Sequence, residues 1–126
     1  MALLKGVKDE VEVRITAQVE IDNGSTLPVT WHAKYRKPPV AEAREIVQAF
    51  ESGELTDESA MDRYLLGWRG LKGEDGTEIP YSPEVLEKAM QSREYRQALV
   101  GGFLEVLLGR EAMGRKNSSR PGTRSA

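Results

Sequence analysis

The chain has 126 residues, of which 39% are hydrophobic and 30% are charged, with a formal net charge of −2 and no cysteine. This length fits one domain with a modest core, the missing cysteines exclude disulfides and zinc–thiolate sites, and the near-neutral charge does not favour nucleic-acid binding. No apolar run approaches the ~20 residues of a membrane-spanning helix, and no signal peptide is visible, so we expect a cytoplasmic protein.

Two alternating patterns predict a long antiparallel hairpin over residues 11–36. A period of two indicates a half-buried strand, and it is formed by Val11, Val13, Ile15, Ala17, Val19 and Ile21. A turn is expected at residues 22–26, because Asn and Gly tolerate positive φ. The alternation then resumes at Leu27, Val29, Trp31, Ala33 and Tyr35. Pro28 cannot donate a ladder hydrogen bond, so we expect it at an edge or a strand start.

Apolar spacing predicts about four helices over residues 40–110. The first is expected at residues 40–52 and ends before Gly53; its apolar positions are Val40, Ala43, Ile46, Val47 and Phe50. Thr56 is a capping residue for the second helix. We expect this helix to end near residues 66–67, with apolar anchors at Met61, Tyr64, Leu65 and Trp68.

A turn rich in Gly and Asp separates the second helix from the third. Ser82 is expected to cap the third helix, because Pro83 stands in the first helical position, where a missing N–H is harmless. This helix should run to about Met90, and Ser92 is expected to cap the fourth. The sequence therefore predicts a single α+β domain over residues 1–114.

The fourth helix carries more apolar surface than one core stripe requires. A full stripe at helical spacing is formed by Tyr95, Ala98, Leu99, Gly102, Phe103, Val106 and Leu107. A second row, rotated by about 100° on helical geometry, comprises Val100, Leu104 and Leu108. Either the hairpin covers this row or the row is a docking surface.

Gly101 and Gly102 stand in the middle of this helix, where each glycine costs about 1 kcal/mol relative to alanine. A kink is one explanation. Close approach of a packed helix, in the same chain or another, is the second explanation. We favour close packing, because it needs a residue without a side chain.

The charge is unevenly distributed along the chain. Residues 109–126 carry +4, so the remaining residues carry −6 for the total of −2. A disordered basic tail is predicted over residues 115–126, because this polar segment cannot bury enough surface to order itself. Its charges lack interleaved aromatic residues, so a solubilising role is favoured over contact with nucleic acid or an acidic partner.

No residues form a recognisable catalytic or metal-binding set. His32 is the only histidine and lies on the polar face of the second strand, without an acid or nucleophile at readable spacing. Asp75 directly precedes Gly76, but the upstream ligands of a calcium loop are missing. We therefore expect no enzyme, no cofactor and no metal site.

Residues 64–108 resemble the tail assembly chaperones of long-tailed, non-contractile (siphovirus-type) bacteriophages. A tryptophan-ended helix, a D-G turn, an apolar-Pro-aromatic-Ser run and the final helices carry the likeness, at Trp68, Gly70, Asp75, Gly76, Ile79, Pro80, Tyr81, Ser82, Glu84, Leu86, Tyr95, Ala98, Leu99 and Phe103. The resemblance implies a non-enzymatic protein of the host cytoplasm. Such chaperones keep the apolar, helical tape measure protein soluble until the tail tube polymerises around it, and they are absent from the mature virion.

The second apolar row and this resemblance together predict a partner-binding surface, since an apolar row accepts the anchors of a partner helix. Its expected residues are Val100, Phe103, Leu104 and Leu108, flanked by the aromatic residues Trp68 and Tyr95. The tape measure protein is the expected partner, and further copies of the chain should bind when it is absent. We expect neither a membrane nor a nucleic-acid partner.

An alternative hypothesis is a small phage-encoded inhibitor or adaptor that binds a host protein. Gene neighbourhood separates the two hypotheses. A position between the tail tube gene and a very long downstream reading frame favours the chaperone, whereas an early or accessory position favours the inhibitor.

The resemblance also implies a longer form made by ribosomal frameshift, whose added domain recruits the tail tube protein. Arg115, Lys116 and Asn117 are compatible with the slippery heptamer A-AAA-AAC, although Lys-Asn is also a common dipeptide in polar tails. The nucleotide sequence tests this prediction. Another spelling of these codons, or no open −1 frame beyond them, removes the slip site.

Overall fold

The computed structural model describes residues 8–109, which form a three-stranded sheet and four helices. The elements in chain order are β1 (Glu10–Glu20), β2 (Thr26–Arg36), α1 (Val40–Ser52), α2 (Asp57–Tyr64), β3 (Leu65–Arg69), α3 (Pro83–Met90) and α4 (Arg93–Leu107). The predicted α+β class is confirmed. The predicted tail over residues 115–126, and the end of the predicted domain at residue 114, lie outside the described residues.

The predicted hairpin is confirmed, with β1 and β2 paired along their full length. Val13 faces Ala33 and Ile15 faces Trp31, so the apolar sets of both strands share one side of the sheet. The turn contains Asn23 at φ 73° and Gly24 at φ 74°, the positive values that Asn and Gly tolerate best.

Pro28 occupies a part of β2 that has a strand on one side only. It is opposite Gln18 in β1, while β3 pairs with β2 only between His32 and Tyr35. In an antiparallel ladder, hydrogen-bonded and non-hydrogen-bonded pairs alternate, and Pro28 falls in a non-hydrogen-bonded pair. Its nitrogen points to the open side of β2, where no hydrogen is needed.

The predicted end of the second helix was wrong, because α2 stops at Tyr64 and the next five residues form β3. β3 pairs antiparallel with β2 and gives the sheet the order β1-β2-β3. Tyr64, Leu65 and Trp68 have helix-like spacing, but a short apolar run does not separate helix from strand. The open edge of β2 offers backbone partners, and Gly67 weakens any continued helix.

Two of the three predicted helix caps are made as expected. Thr56 Oγ1 accepts from Ser59 N at 3.1 Å, and Ser82 Oγ accepts from Val85 N at 3.2 Å. Ser92 precedes α4 as predicted, but it makes no capping hydrogen bond. Its hydroxyl instead lies 3.1 Å from the carboxylate of Glu94.

The core lies between the sheet and the helices, with α4 at its centre. α4 packs on β1 and β2, and the other three helices each contact α4. The ring of Phe103 stacks 4.9 Å from Tyr64 and 5.8 Å from Tyr35. The Tyr35 hydroxyl donates to the Leu99 carbonyl at 2.5 Å, which fixes α4 to the central strand.

The two adjacent glycines of α4 have different surroundings. A Cβ at Gly102 would lie 2.7 Å from Tyr35 Oη and 2.8 Å from Ile15 Cγ2, whereas a Cβ at Gly101 would meet nothing within 4 Å. Close packing therefore explains Gly102, as predicted. The structure that packs against it is the sheet, however, and not a helix. Gly101 faces open space within the described part of the chain.

Candidate functional site

The second apolar row of α4 lies largely outside the core. Leu104 is 36% exposed and Leu108 is 52% exposed, while Val100 is half-buried against the core. Of the two explanations for this row, coverage by the hairpin is wrong for Leu104 and Leu108. The two side chains stand four residues apart, so they lie one turn apart on one face of the helix.

Phe103 was wrongly included in the predicted binding surface. Its side chain is 0% exposed and is enclosed by the rings of Tyr35, Phe50 and Tyr64. A residue at the centre of the core has no surface to offer a partner in this fold. The helical stripe that placed Phe103 among the core positions was the correct interpretation.

The two predicted flanking aromatics have partners elsewhere in the fold. Trp68 Nε1 donates to the Ile79 carbonyl at 2.9 Å, and its ring meets Tyr81 edge-on at 5.0 Å. The ring of Tyr95 packs 5.5 Å from that of Trp31. Tyr95 is also separated from Leu108 by about 20 Å along the helix, at 1.5 Å per residue. The structure does not bring these aromatics to the exposed end of the row.

A groove between α1 and the end of α4 contains the exposed Leu108. We call it the α1–α4 groove, and its volume is about 570 Å³, within the range of ligand-binding clefts. Its apolar lining consists of Pro38, Val40, Ala43, Val47, Val106, Leu107 and Leu108. Val40 begins the first helix as predicted, but it is 71% exposed although it fits the apolar period of that helix. As the first residue of α1, it lies at the helix end, where packing is incomplete.

Charged side chains of both signs border this apolar lining. Arg44, Gln48 and Glu51 follow α1 along the groove, and all three are exposed. Because the charges of the rim are mixed, they do not create the positive electrostatic potential that would attract a polyanion. An apolar floor with a polar rim instead suits an amphipathic helix, whose apolar face enters the groove while its polar face remains in water.

The other titratable clusters support the fold or its surface. Between α2 and α3, a second cleft is lined in part by Glu58, Asp62 and Glu87, and Glu58 pairs with Arg96 at 2.7 Å. Across residues 8–109, no group of three or more His, Asp or Glu side chains is placed to hold a metal ion.

The acidic turn and the histidine have structural surroundings. Thr77 N donates to Asp75 Oδ1 at 3.0 Å, and this backbone hydrogen bond is the main reason that the pKa of Asp75 lies below its usual value. His32 lies half-buried on the polar side of the sheet, in register with Arg14 on one side and Arg69 on the other.

A bidentate ion pair on the polar side of the sheet joins β1 to β3. Arg69 Nε and Nη2 each donate to a Glu12 carboxylate oxygen at 2.8 Å. These hydrogen bonds hold the pKa of Glu12 below its ordinary value and raise that of Arg69. The pair fastens the outer strands across β2 and lies on the face opposite the helices.

Neither a known protein family, nor a curated protein, nor a solved structure matches this chain. Within the described residues, no helix has both the length and the apolar character needed to span a membrane. The α1–α4 groove is therefore identified as the candidate site by its geometry alone.

Proposed function

We propose that this protein is a phage tail assembly chaperone that holds apolar helices of the tape measure protein in the α1–α4 groove. It acts in the host cytoplasm, is not an enzyme, and is displaced when the tail tube polymerises around the client. The resemblance of residues 64–108 to such chaperones is the reason for naming this client class.

The observation that carries the proposal is the apolar groove with two exposed side chains at its mouth. Val40 and Leu108 are 71% and 52% exposed and belong to one groove formed by two different helices. Complete burial of an apolar side chain of this size contributes about 1.5–3 kcal/mol, and covering the exposed part of each side chain contributes a corresponding fraction. A client helix that covers both residues therefore gains favourable binding free energy from their burial.

The mode of binding follows from the shape and composition of the groove. Apolar anchors at i, i+3, i+4 and i+7 of a client helix lie along one stripe, and a groove between two helices accepts such a stripe. Few polar groups of the lining could distinguish one client sequence from another by hydrogen bonding. The groove therefore suits a client recognised by its apolar pattern, as a long helical protein with many similar segments requires.

Co-expression with the tape measure protein tests the proposed function. The client should remain in the soluble fraction with this chain and sediment without it. Leu108→Glu should lose the effect, because a client helix would have to cover an unpaired charge. The proposal is wrong if the client is equally soluble with and without the chain.

A further inference from the structure

β1 forms a long sheet edge whose outward backbone groups have no partner among residues 8–109. Lys37 N donates to Asp9 O at 2.7 Å and Ile21 N donates to Ser25 O at 2.8 Å, which places the odd-numbered residues of β1 in the hydrogen-bonded pairs with β2. The even-numbered residues direct their N–H and C=O groups away from β2. They are Glu10, Glu12, Arg14, Thr16, Gln18 and Glu20.

This edge lacks most of the features that usually prevent strands from pairing with other chains. Such protection comes from short edge strands, prolines, bulges and charged side chains, and of these β1 has only charged side chains, at Glu10, Glu12, Arg14 and Glu20. β1 is 11 residues long, contains no proline and pairs with β2 without a register shift. The opposite edge of the sheet, β3, has only five residues and a register shift at its junction with β2. β1 is therefore the edge that is open to a partner.

A groove runs between this edge and α4, beside Gly101, where an added Cβ would meet nothing within 4 Å among residues 8–109. Its lining includes Arg14, Ile15 and Thr16 of β1 together with Gln97, Ala98, Gly101 and Glu105 of α4. A mid-helix glycine costs about 1 kcal/mol relative to alanine. No neighbour within 4 Å explains Gly101, whereas a helix that packs against α4 from outside would explain it.

We propose that a second copy of this chain pairs with β1 in antiparallel orientation about a two-fold axis at Ile15. A two-fold interface must be complementary to itself. β1 pairs with itself over its whole length only in this register, which places Arg14 opposite the partner's Thr16 and Glu12 opposite the partner's Gln18. The outward backbone groups of the two edges then complete one continuous six-stranded sheet.

The same axis brings the two α4 helices into contact. α4 lies over the β1–β2 pair, because Gly102 faces both Ile15 and Tyr35. α4 packs on β1 more extensively than on β2 and strands are about 4.8 Å apart, so the two helix axes lie at most about 10 Å apart, a close packing that favours a residue without a side chain. Gly101 then faces its own copy across the axis. Gln97 faces the partner's Glu105, with the amide donating to the carboxylate.

This interface is separate from the α1–α4 groove, so the inference does not rest on the proposed function. No residue lines both surfaces. The dimer presents two α1–α4 grooves, one on each copy. Loss of dimerisation and loss of client binding are therefore distinguishable by variants in the two surfaces.

Sedimentation equilibrium of the full chain tests the proposal, with Gly101→Leu as the first variant. The wild-type chain should be a dimer. Gly101→Leu should weaken dimerisation on the order of tenfold or more, because the added side chain overpacks the helix contact, while the fold seen by circular dichroism is unchanged. Thr16→Pro should also give monomers, because it removes an outward N–H of the edge. Thr16→Ala keeps that N–H and should remain dimeric.

A charge reversal tests the register itself. The proposed register places Glu10 opposite the partner's Glu20, a like-charge pair at each end of the interface. Glu20→Lys should turn both contacts into opposite-charge pairs and tighten the dimer on the order of fivefold. A chain that stays monomeric into the millimolar range overturns the proposal. So does a dimer that neither Gly101→Leu nor Thr16→Pro weakens, or one that Glu20→Lys leaves unchanged.

Discussion

At the residue scale, the two adjacent glycines of α4 should respond oppositely to the same substitution. Gly102→Ala should destabilise the fold by about 1–3 kcal/mol, because Tyr35 Oη and Ile15 Cγ2 lie 2.7 Å and 2.8 Å from the new Cβ. Gly101→Ala should stabilise the fold by up to about 1 kcal/mol, because nothing lies within 4 Å. Urea unfolding of dilute protein measures both changes, and equal effects at the two positions would refute the packing assignment.

Tyr35 should give the fold a sensitivity to alkaline pH. Burial raises the pKa of this phenol far above its ordinary value, so the folded state keeps the proton that the unfolded state loses near pH 10. The stability contributed by the neutral phenol is complete below that pH and declines as the pH rises above it. Burial raises the pKa of Tyr81 and Tyr95 in the same direction.

Tyr35→Phe separates this contribution from those of the other tyrosines. At neutral pH the variant should be less stable by about 1 kcal/mol, because the hydrogen bond to the Leu99 carbonyl is lost. Above pH 10 its stability should decline less steeply than that of the wild type. Free energies of unfolding measured from neutral to alkaline pH give both slopes, and parallel profiles would show that Tyr35 does not carry the effect.

At the element scale, the serines before α3 and α4 differ in what they contribute to their helices. Ser82 accepts a hydrogen bond from Val85 N, so Ser82→Ala should destabilise the protein by about 1 kcal/mol. Ser92 makes no capping hydrogen bond, so Ser92→Ala should cost less. The difference in urea midpoint at constant m-value measures this. A larger loss for Ser92→Ala would contradict the cap geometry.

The sequence predicted the hairpin and most helix ends, because these depend on local chemistry. Alternation over β1 and β2, the Asn23 and Gly24 turn, and the caps at Thr56 and Ser82 are readable from neighbouring residues alone. β3 was missed because the interaction that stabilises it, its pairing with β2, involves residues elsewhere in the chain. The open side of β2 decides the conformation of Leu65–Arg69, and no pattern within that segment reports it.

The candidate site was only partly predictable, because it too depends on tertiary packing as well as on local patterns. Leu104 and Leu108 were identified because they exceed what one core stripe needs, and both are exposed, but only Leu108 lines the α1–α4 groove. The α1 side of the groove was missed, because Val40 fits the apolar period of α1 and only tertiary packing leaves it uncovered. Phe103 was assigned to two roles, and packing against Tyr35 and Tyr64 assigns it to the core.

At the scale of the whole molecule, the sheet and helices form a platform with two distinct surfaces at α4. The α1–α4 groove lies at the end of the helix, and the proposed dimer surface lies along its middle, beside β1. Both surfaces share buried residues with the core, among them Leu107 in the α1–α4 groove and Ile15 beside β1. Charged substitutions at the exposed positions of one surface should leave the other surface and the fold intact.

Calorimetric titration with a helical peptide from the tape measure protein tests most directly whether the α1–α4 groove binds an apolar helix. Leu108→Glu should weaken binding at least on the order of tenfold, because an unpaired charge would be buried. Leu27→Glu is the matched control, since Leu27 is 50% exposed and Leu108 is 52% exposed, but Leu27 lies at the hairpin turn. It should bind as the wild type does. Equal affinity of all three proteins, or equal loss in both variants, would contradict the account.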